Sequence, residues 1–505
     1  MRRYIYLIHR WTGIAMCVLM ALWFVSGVVM LFFGYPKLTP QERLAALPPL
    51  PLSPSAGCCI APARALARSV APSEVQSLTL TTIAGRPHYV LLEGDGSFTP
   101  VDAISGANAG RAVTPGLNSA LSAAAMFKPG ARTHYAGLIT EDRWTHSRAL
   151  NPDRPLHVVD LDDEASTRVY VSSATGQVVL DAPRAERYWN FAGAWLHWLY
   201  MVRQQNTDPV WTWTLIGLSA VGLLSAVTGL VNGVWRWRFA GRYKNGQRTP
   251  YRESYMRWHH LLGLVFGVVL CTWIFSGLMS MNPLNIFSAR GARPDAQAMQ
   301  GGSPASLRLP QTVAQVLARL RTASFAPREL EWKVLNGMPF ILARDGLNDT
   351  RIVIADGGEN GLRVMPFWPR AALEQAAGRL LPDRVVSFEM LASHDAQYYA
   401  REDASMYGGT ERRLPVLRAV FSDTEHTWVY LDPRTGQIAL SVDQTQRLGR
   451  WLFNFLHSWD LPVLLSPAWP REAVLIAFSI GGFLLSATAV VIALRRLRMS
   501  GARSP

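Results

Sequence analysis

Residues 257–277 read RWHHLLGLVFGVVLCTWIFSG, and residues 9–27 read HRWTGIAMCVLMALWFVSG. A shift of 250 positions lays His259 on His9, Gly263 on Gly13, Trp273 on Trp23 and Ser276-Gly277 on Ser26-Gly27. Both stretches are apolar and uncharged after their first few residues, and each has a histidine at its edge. Four such uncharged stretches occur in the chain: Trp11–Phe33, Val210–Val234, Leu261–Met281 and Ala473–Leu494. At about 1.5 Å rise per residue, each crosses the ~30 Å hydrocarbon layer as a helix. The first is too long for the apolar core of a cleaved signal, and its match to the third argues that it stays.

The net charge of +14 is unevenly placed. Lys and Arg crowd three positions: before the first stretch (Arg2, Arg3, Arg10), between the second and third (Arg236 to Arg257), and after the fourth (Arg495, Arg496, Arg498, Arg503). Glu253 is the one acid there, and cations and acids nearly balance elsewhere. The positive-inside rule therefore puts both termini and the middle loop in the cytoplasm, with both long segments outside a bacterial inner membrane. The basic excess reports topology and excludes a nucleic-acid partner; the lipid bilayer is the surface it meets. Cys58-Cys59 reads as two incidental thiols rather than a bridge.

The likeness continues. Gly85-x-Pro87 matches Gly337-x-Pro339 at an offset of 252. At 260, His134 falls on His394, Pro155 on Pro415, VYVSSATGQVVL (169–180) on VYLDPRTGQIAL (429–440), Arg187 on Arg447, His197 on His457 and Thr228 on Thr488. The expected fold is an α-helical membrane protein with four transmembrane helices in two tandem parallel repeats, plus two α+β outside domains, with a symmetry axis along the membrane normal. The organisation expected is a first span over 1–34, an outside domain over 35–183, an interfacial helix and second span over 184–238, a cytoplasmic loop over 239–258, a third span over 259–282, a second outside domain over 283–443, an interfacial helix and fourth span over 444–498, and a tail over 499–505. Alternation in PHYVLLE, TRVYVSS, PFILAR and TWVYLDP predicts strands; Pro62–Val70 and Ala372–Leu381 predict short helices.

One interfacial histidine is most simply a tolerated polar ring. Repetition changes that reading: His9 and His259 share one membrane edge, His197 and His457 the other, and symmetry would bring each pair together. Two imidazoles on separate helices suit a haem iron; zinc wants more ligands, and the spans offer no acid. Arg10, Arg257 and Arg236 on one side, and Arg187 and Arg447 on the other, are candidates for the propionates, with Arg236 and Arg238 equally read as membrane anchors. His260 ranks below His259, since its repeat partner is Arg10. Two haem b groups stacked across the bilayer would carry electrons outward.

The motifs HRWTG…SG, WHHLLG…SG, LH before a span ending in TG or TA, and VYLDPRTGQ resemble the PepSY-associated transmembrane family. The resemblance implies two PepSY-like outside domains. It also implies kinship with dihaem ferric-siderophore reductases of the inner membrane, with ligands carried over to His9, His197, His259 and His457. One departure is TAVVIA in span four against TGLVNG in span two.

Outside, His134, His394 and Asp395 are candidate iron donors, set against a structural hydrogen-bonding cluster. Trp144, Trp368 and Trp428 are read as either cleft or core, and the acidic run 160–164 as a solvated hairpin. The substrate expected is a ferric siderophore or another periplasmic metal chelate. The cytoplasmic loop carries no dinucleotide fingerprint, so electrons would come from quinol or a separate reductase. Two alternatives stand: a non-enzymatic sensor or partner-binding protein, and a metal transporter, against which the absence of an ionisable residue at mid-span argues.

Overall fold

The computed structural model describes residues 1–50, 58–107, 116–203, 208–302, 312–356, 361–406 and 408–501. Four helices in it are long and apolar enough to cross a membrane: Arg2–Phe32, Pro209–Arg236, Ser254–Ser280 and Trp469–Gly501. The chain is a multi-pass membrane protein. The second span starts where Asp208 accepts from Trp211 N and Pro209 pre-sets the first turn. Spans one and three each pack against spans two and four. Close approach rests on small residues: a Cβ on Gly482 would lie 2.2 Å from Phe24, and one on Gly481 2.4 Å from Phe266. Met16, Met20, Phe24, Ala226, Leu270, Ile274 and Leu485 fill the bundle centre.

The outside segments carry fifteen described strands. In the first these are β1 (Ser77–Ile83), β2 (Arg86–Leu92), β3 (Phe98–Asp102), β4 (Arg132–Ile139), β5 (Leu156–Asp162), β6 (Arg168–Ser172) and β7 (Val178–Ala182). In the second they are β8 (Glu329–Leu335), β9 (Met338–Arg344), β10 (Thr350–Ala355), β11 (Leu362–Met365), β12 (Val385–Leu391), β13 (Val416–Phe421), β14 (Trp428–Asp432) and β15 (Gln437–Val442). The four strands expected from alternation lie at β2, β6, β9 and β14. The two expected helices run over Pro62–Leu66 and Arg370–Ala377. Cys58 and Cys59, read as separate thiols, are joined Sγ to Sγ.

Two four-stranded sheets, β4-β5-β6-β7 and β12-β13-β14-β15, stand apart, but the rest form one seven-stranded sheet in the order β11-β10-β9-β8-β1-β2-β3. The two segments therefore meet edge to edge, with Leu78 opposite Trp332, Thr79 opposite Glu331 and Leu80 opposite Leu330. Beneath it, Leu78, Leu80 and Val101 from one segment share a core with Val316, Leu320 and Ile341 from the other. An ion pair on a buried carboxylate ties the joint. Glu329 takes Arg43 in a bidentate grip at 2.6 and 2.7 Å and accepts from Thr81 at 2.7 Å. Burial alone would raise the Glu329 carboxyl, yet Arg43 and Thr81 hold it below the usual range. Removing one partner of such a pair strands a buried charge. Arg43→Ala is therefore expected to cost about 3–5 kcal/mol, read as a lower melting temperature in detergent, while an apolar replacement of both partners restores most of it.

A second group of acids lies at the base of the first segment. Burial, then repulsion from Asp181 and Glu42 against attraction from Lys37, pushes Glu186 up to about 7. Burial and Glu42, opposed by Lys128, push Asp181 up to about 6. Both folded pKa values exceed the unfolded ones, so the stability they contribute is complete below about pH 4 and is lost as pH rises through 6 to 7. The melting temperature is expected to fall between pH 5 and pH 8, and Glu186→Gln to flatten that fall.

Candidate functional site: two histidine pairs at the ends of the bundle

His9 on the first span and His259 on the third face each other with ring centroids 6.2 Å apart and planes at 29°. At the other end His197 and His457 lie 6.4 Å apart at 80°. His197 follows Phe191–Trp195 and His457 follows Arg450–Phe455, both π-helical turns, a local widening that is frequent at functional sites. Each run then reverses at a residue in left-handed backbone, Leu199 (φ 51°) and Trp459 (φ 52°). Such strain in a non-glycine residue persists only where its surroundings impose it.

All four rings are held in the same way. His9 Nδ1 donates to the Ser225 carbonyl at 3.0 Å. His259 Nδ1 lies 3.1 Å from Thr488 Oγ1 and 3.3 Å from the Leu485 carbonyl. His197 Nδ1 is 3.0 Å from Ser26 Oγ, and His457 Nδ1 is 3.0 Å from Ser276 Oγ. Each hydroxyl already gives its proton to a carbonyl: Ser26 to Leu22, Ser276 to Trp273 and Thr488 to Leu485. With those carbonyls as the hydroxyls' acceptors, the hydrogen-bond network assigns the proton to every Nδ1 and the lone pair to every Nε2. No Nε2 of the four makes a hydrogen bond among the described residues. This is the tautomer of a metal-ligating histidine, fixed by the bond its other nitrogen makes.

Glycines make room for the rings. A Cβ on Gly229 would sit 2.6 Å from His9, while Gly27 and Gly277 lie against His197 and His457. From His9 to Ser26 the first span climbs seventeen residues, so the two pairs are about 25 Å apart along the axis. His197 and His457 open into a cavity of about 510 Å³ that Trp23, Trp273, Arg401 and Arg471 also line, a size typical of ligand pockets. Beside it the buried Asp460 receives Arg401, Arg450 and the Tyr399 hydroxyl. Burial would raise this carboxyl, but Arg401 and Arg450 hold it below the usual range.

Residues 6–339 match the family described as the PepSY-associated TM region. The chain belongs to this family. No curated protein shows significant similarity to it.

Other residues of this family member sit differently from expectation. His260 has both nitrogens engaged, Nδ1 with Thr249 Oγ1 at 2.7 Å and Nε2 with the Gly233 carbonyl at 2.8 Å; it fastens the interspan loop and has no free lone pair. Arg10 lies over Tyr6, Arg236 over Tyr6 and Tyr251, and Arg257 is half-buried with no polar partner among the described residues. Arg187 and Arg447 do not line the cavity. Arg187 donates to Ala182 and Ser166 carbonyls, Arg447 to Val442 and His426 carbonyls, each pinning its own sheet. The arginines that do line the cavity, Arg401 and Arg471, escaped the sequence reading because nothing local marks them.

The outside donors do not assemble. β4 pairs Thr133 with Leu161 and Ile139 with Leu156, while β12 pairs Val385 with Phe421 and Leu391 with Val416. The 252 offset thus persists at the ends of these strands, and His134, opposite Asp160, corresponds to Ser387, opposite Val420, not to His394. His394 meets the Arg412 carbonyl. Asp395 caps Gln397 N and accepts from Tyr430 at 2.8 Å, as Asp142 caps Trp144 N and accepts from Tyr170 at 2.6 Å. Among the described residues no three His, Cys, Asp or Glu are grouped to hold an ion. Trp368 is core, Trp144 packs under Arg168 and Arg187, and Trp428 under Arg418 and Arg447. In the acidic run, Asp160 pairs with Arg168 and Asp163 caps Thr167.

Seating the rings depends on the anchors. Ser26→Ala and Ser276→Ala are expected to release the ring tautomer, seen as mixed Nδ1–H and Nε2–H forms by histidine nitrogen NMR, while Ser280→Ala leaves it unchanged.

Proposed function

We propose that the protein is an inner-membrane reductase that holds two haem b groups, one at His9 and His259, the other at His197 and His457. It would move electrons from the cytoplasmic side to a ferric siderophore or similar periplasmic chelate. The observation that carries this reading is the arrangement of four half-buried imidazoles in two facing pairs, every Nδ1 anchored and every Nε2 uncommitted. Each pair, with ring centres 6.2 and 6.4 Å apart, would hold one iron through its two Nε2 atoms. Each pair supplies two ligands and no third, so the remaining positions suit a macrocycle rather than a bare ion. When bound, haem supplies one-electron chemistry.

The chain's own residues do the rest. Ser26, Ser276, Thr488 and the Ser225 carbonyl fix ring orientation and raise ligand basicity. Met16, Met20, Phe24, Leu270 and Ile274 keep water out between the two ends, and burial of this kind tunes potential. With the termini cytoplasmic, as the basic flanks imply, the 510 Å³ cavity opens on the periplasmic side beneath two PepSY-like segments of a tandem parallel repeat. The ferric ion stays in its chelate, since the outside segments offer no grouped donors among the described residues. Quinol or a separate reductase serves as electron donor.

The purified chain from haem-replete cells is expected to show a Soret band that shifts with dithionite. His9→Ala and His259→Ala each remove about half of the haem, His197→Ala and His457→Ala the other half, and His260→Ala none. A wild-type protein without that band leaves the reading without its cofactor.

A further inference from the structure

The two halves differ at the rim of the outer cavity. At an offset of 260, Asn190, Tyr200 and Trp211 stand where the second half has Arg450, Asp460 and Arg471. Trp211 and Arg471 perform one shared task. Trp211 Nε1 donates to the Trp198 carbonyl at 2.7 Å, and Arg471 Nη1 donates to the Ser458 carbonyl at 3.1 Å. Each closes over the residue that follows a cavity histidine. A tryptophan suffices for that bond, and the arginine adds a full charge and further N–H groups.

Those groups are poorly used. Arg471 Nε is buried without a hydrogen-bond partner. Nη2 meets only Glu472, at 4.0 Å, and the side chain is 6% exposed. Its neighbour Arg401 is matched by Asp460, which Arg450 also approaches. Arg401, Arg450 and Arg471 thus share one buried carboxylate, Asp460; Glu402 and Asp403 also line the cavity but stand on its exposed side. A buried charge is disfavoured unless a counter-charge reaches it, and Arg471 lines a cavity from which one can come.

We propose that Arg471, with Arg401 beside it, forms a carboxylate-binding subsite in the outer cavity, one that the first half lacks. The guanidinium fork takes a carboxylate through two parallel N–H···O bonds. The carboxylate has two sources: the side arms of a haem held by His197 and His457, or an organic acid group on a ferric chelate in the same cavity. The choice between these sources rests on the function proposed above; the charge argument does not.

The test uses the full chain in detergent as wild type, Arg471→Lys, Arg471→Gln and Arg471→Trp, the last restoring the first-half residue. Binding of ferric citrate and of a neutral ferric trihydroxamate is measured by tryptophan quenching, alongside haem content and midpoint potentials. For a chelate carboxylate, ferric citrate affinity falls about tenfold or more in the Gln and Trp variants. It is largely kept in Lys, and the neutral chelate is unaffected. For a haem side arm, the occupancy or potential of the outer haem changes in Gln and Trp and recovers in Lys, with citrate affinity constant. Folded Gln and Trp variants that alter neither readout overturn the subsite. A wild type without a Soret band sinks the reductase reading but leaves the citrate measurement decisive here.

Discussion

A neutral imidazole has one N–H and one lone pair, and when it is buried both must be accounted for. At His9, His197, His259 and His457 the N–H is committed to a carbonyl or to a hydroxyl whose own proton goes to a carbonyl, and the lone pair is left over. Much of the bundle follows from that commitment. Span one must sit in register with span two for His9 to reach Ser225, and span three with span four for His259 to reach Thr488. Ser26 and Ser276 draw the interfacial turns down onto the bundle, and Trp23 Nε1 adds a bond to the His197 carbonyl at 2.9 Å. Glycines beside the rings are the steric counterpart of the same requirement.

The outside segments hold the two halves in the relation that the rings need. Residues 252 apart in sequence, Thr79 and Glu331, face each other across the β1–β8 joint. His9 and His259, 250 apart, and His197 and His457, 260 apart, are brought together by the same relation. The sheet joint, its common core and the Arg43–Glu329 pair act as a clasp outside the membrane. The bundle interior is apolar, and lipid supplies no hydrophobic drive between helices.

The frame is nearly symmetric and its contents are not. Gly229 admits His9 closely, whereas Ala489 occupies the matching place in span four. Tyr200 and Trp211, stacked at 5.3 Å, hold the sequence positions that Asp460 and Arg471 hold in the second half.

The spans and their edge histidines were legible in the amino-acid sequence because an uncharged run of more than twenty apolar residues has one stable solution in a bilayer, a helix. A histidine at its edge then has a known depth. The repeated Ser-Gly was visible too, although its task was not, since a hydroxyl shows its partner only when another helix arrives. Equal spacing misled at His134, where the offset changes later than the shared motifs suggest, and at Arg187 and Arg447, where repetition revealed a common role but not which carbonyls they serve. The β1–β8 joint left no mark in either strand, because edge pairing is made by backbone groups that every residue carries. Arg401 and Arg471 come from distant segments, and only packing puts them beside His457. The sequence by itself determined what must lie in lipid and which side chains stand at its borders; the tertiary structure decided which of them meet, because contact and hydrogen-bond direction depend on the arrangement of separate elements and not on the order of residues within one.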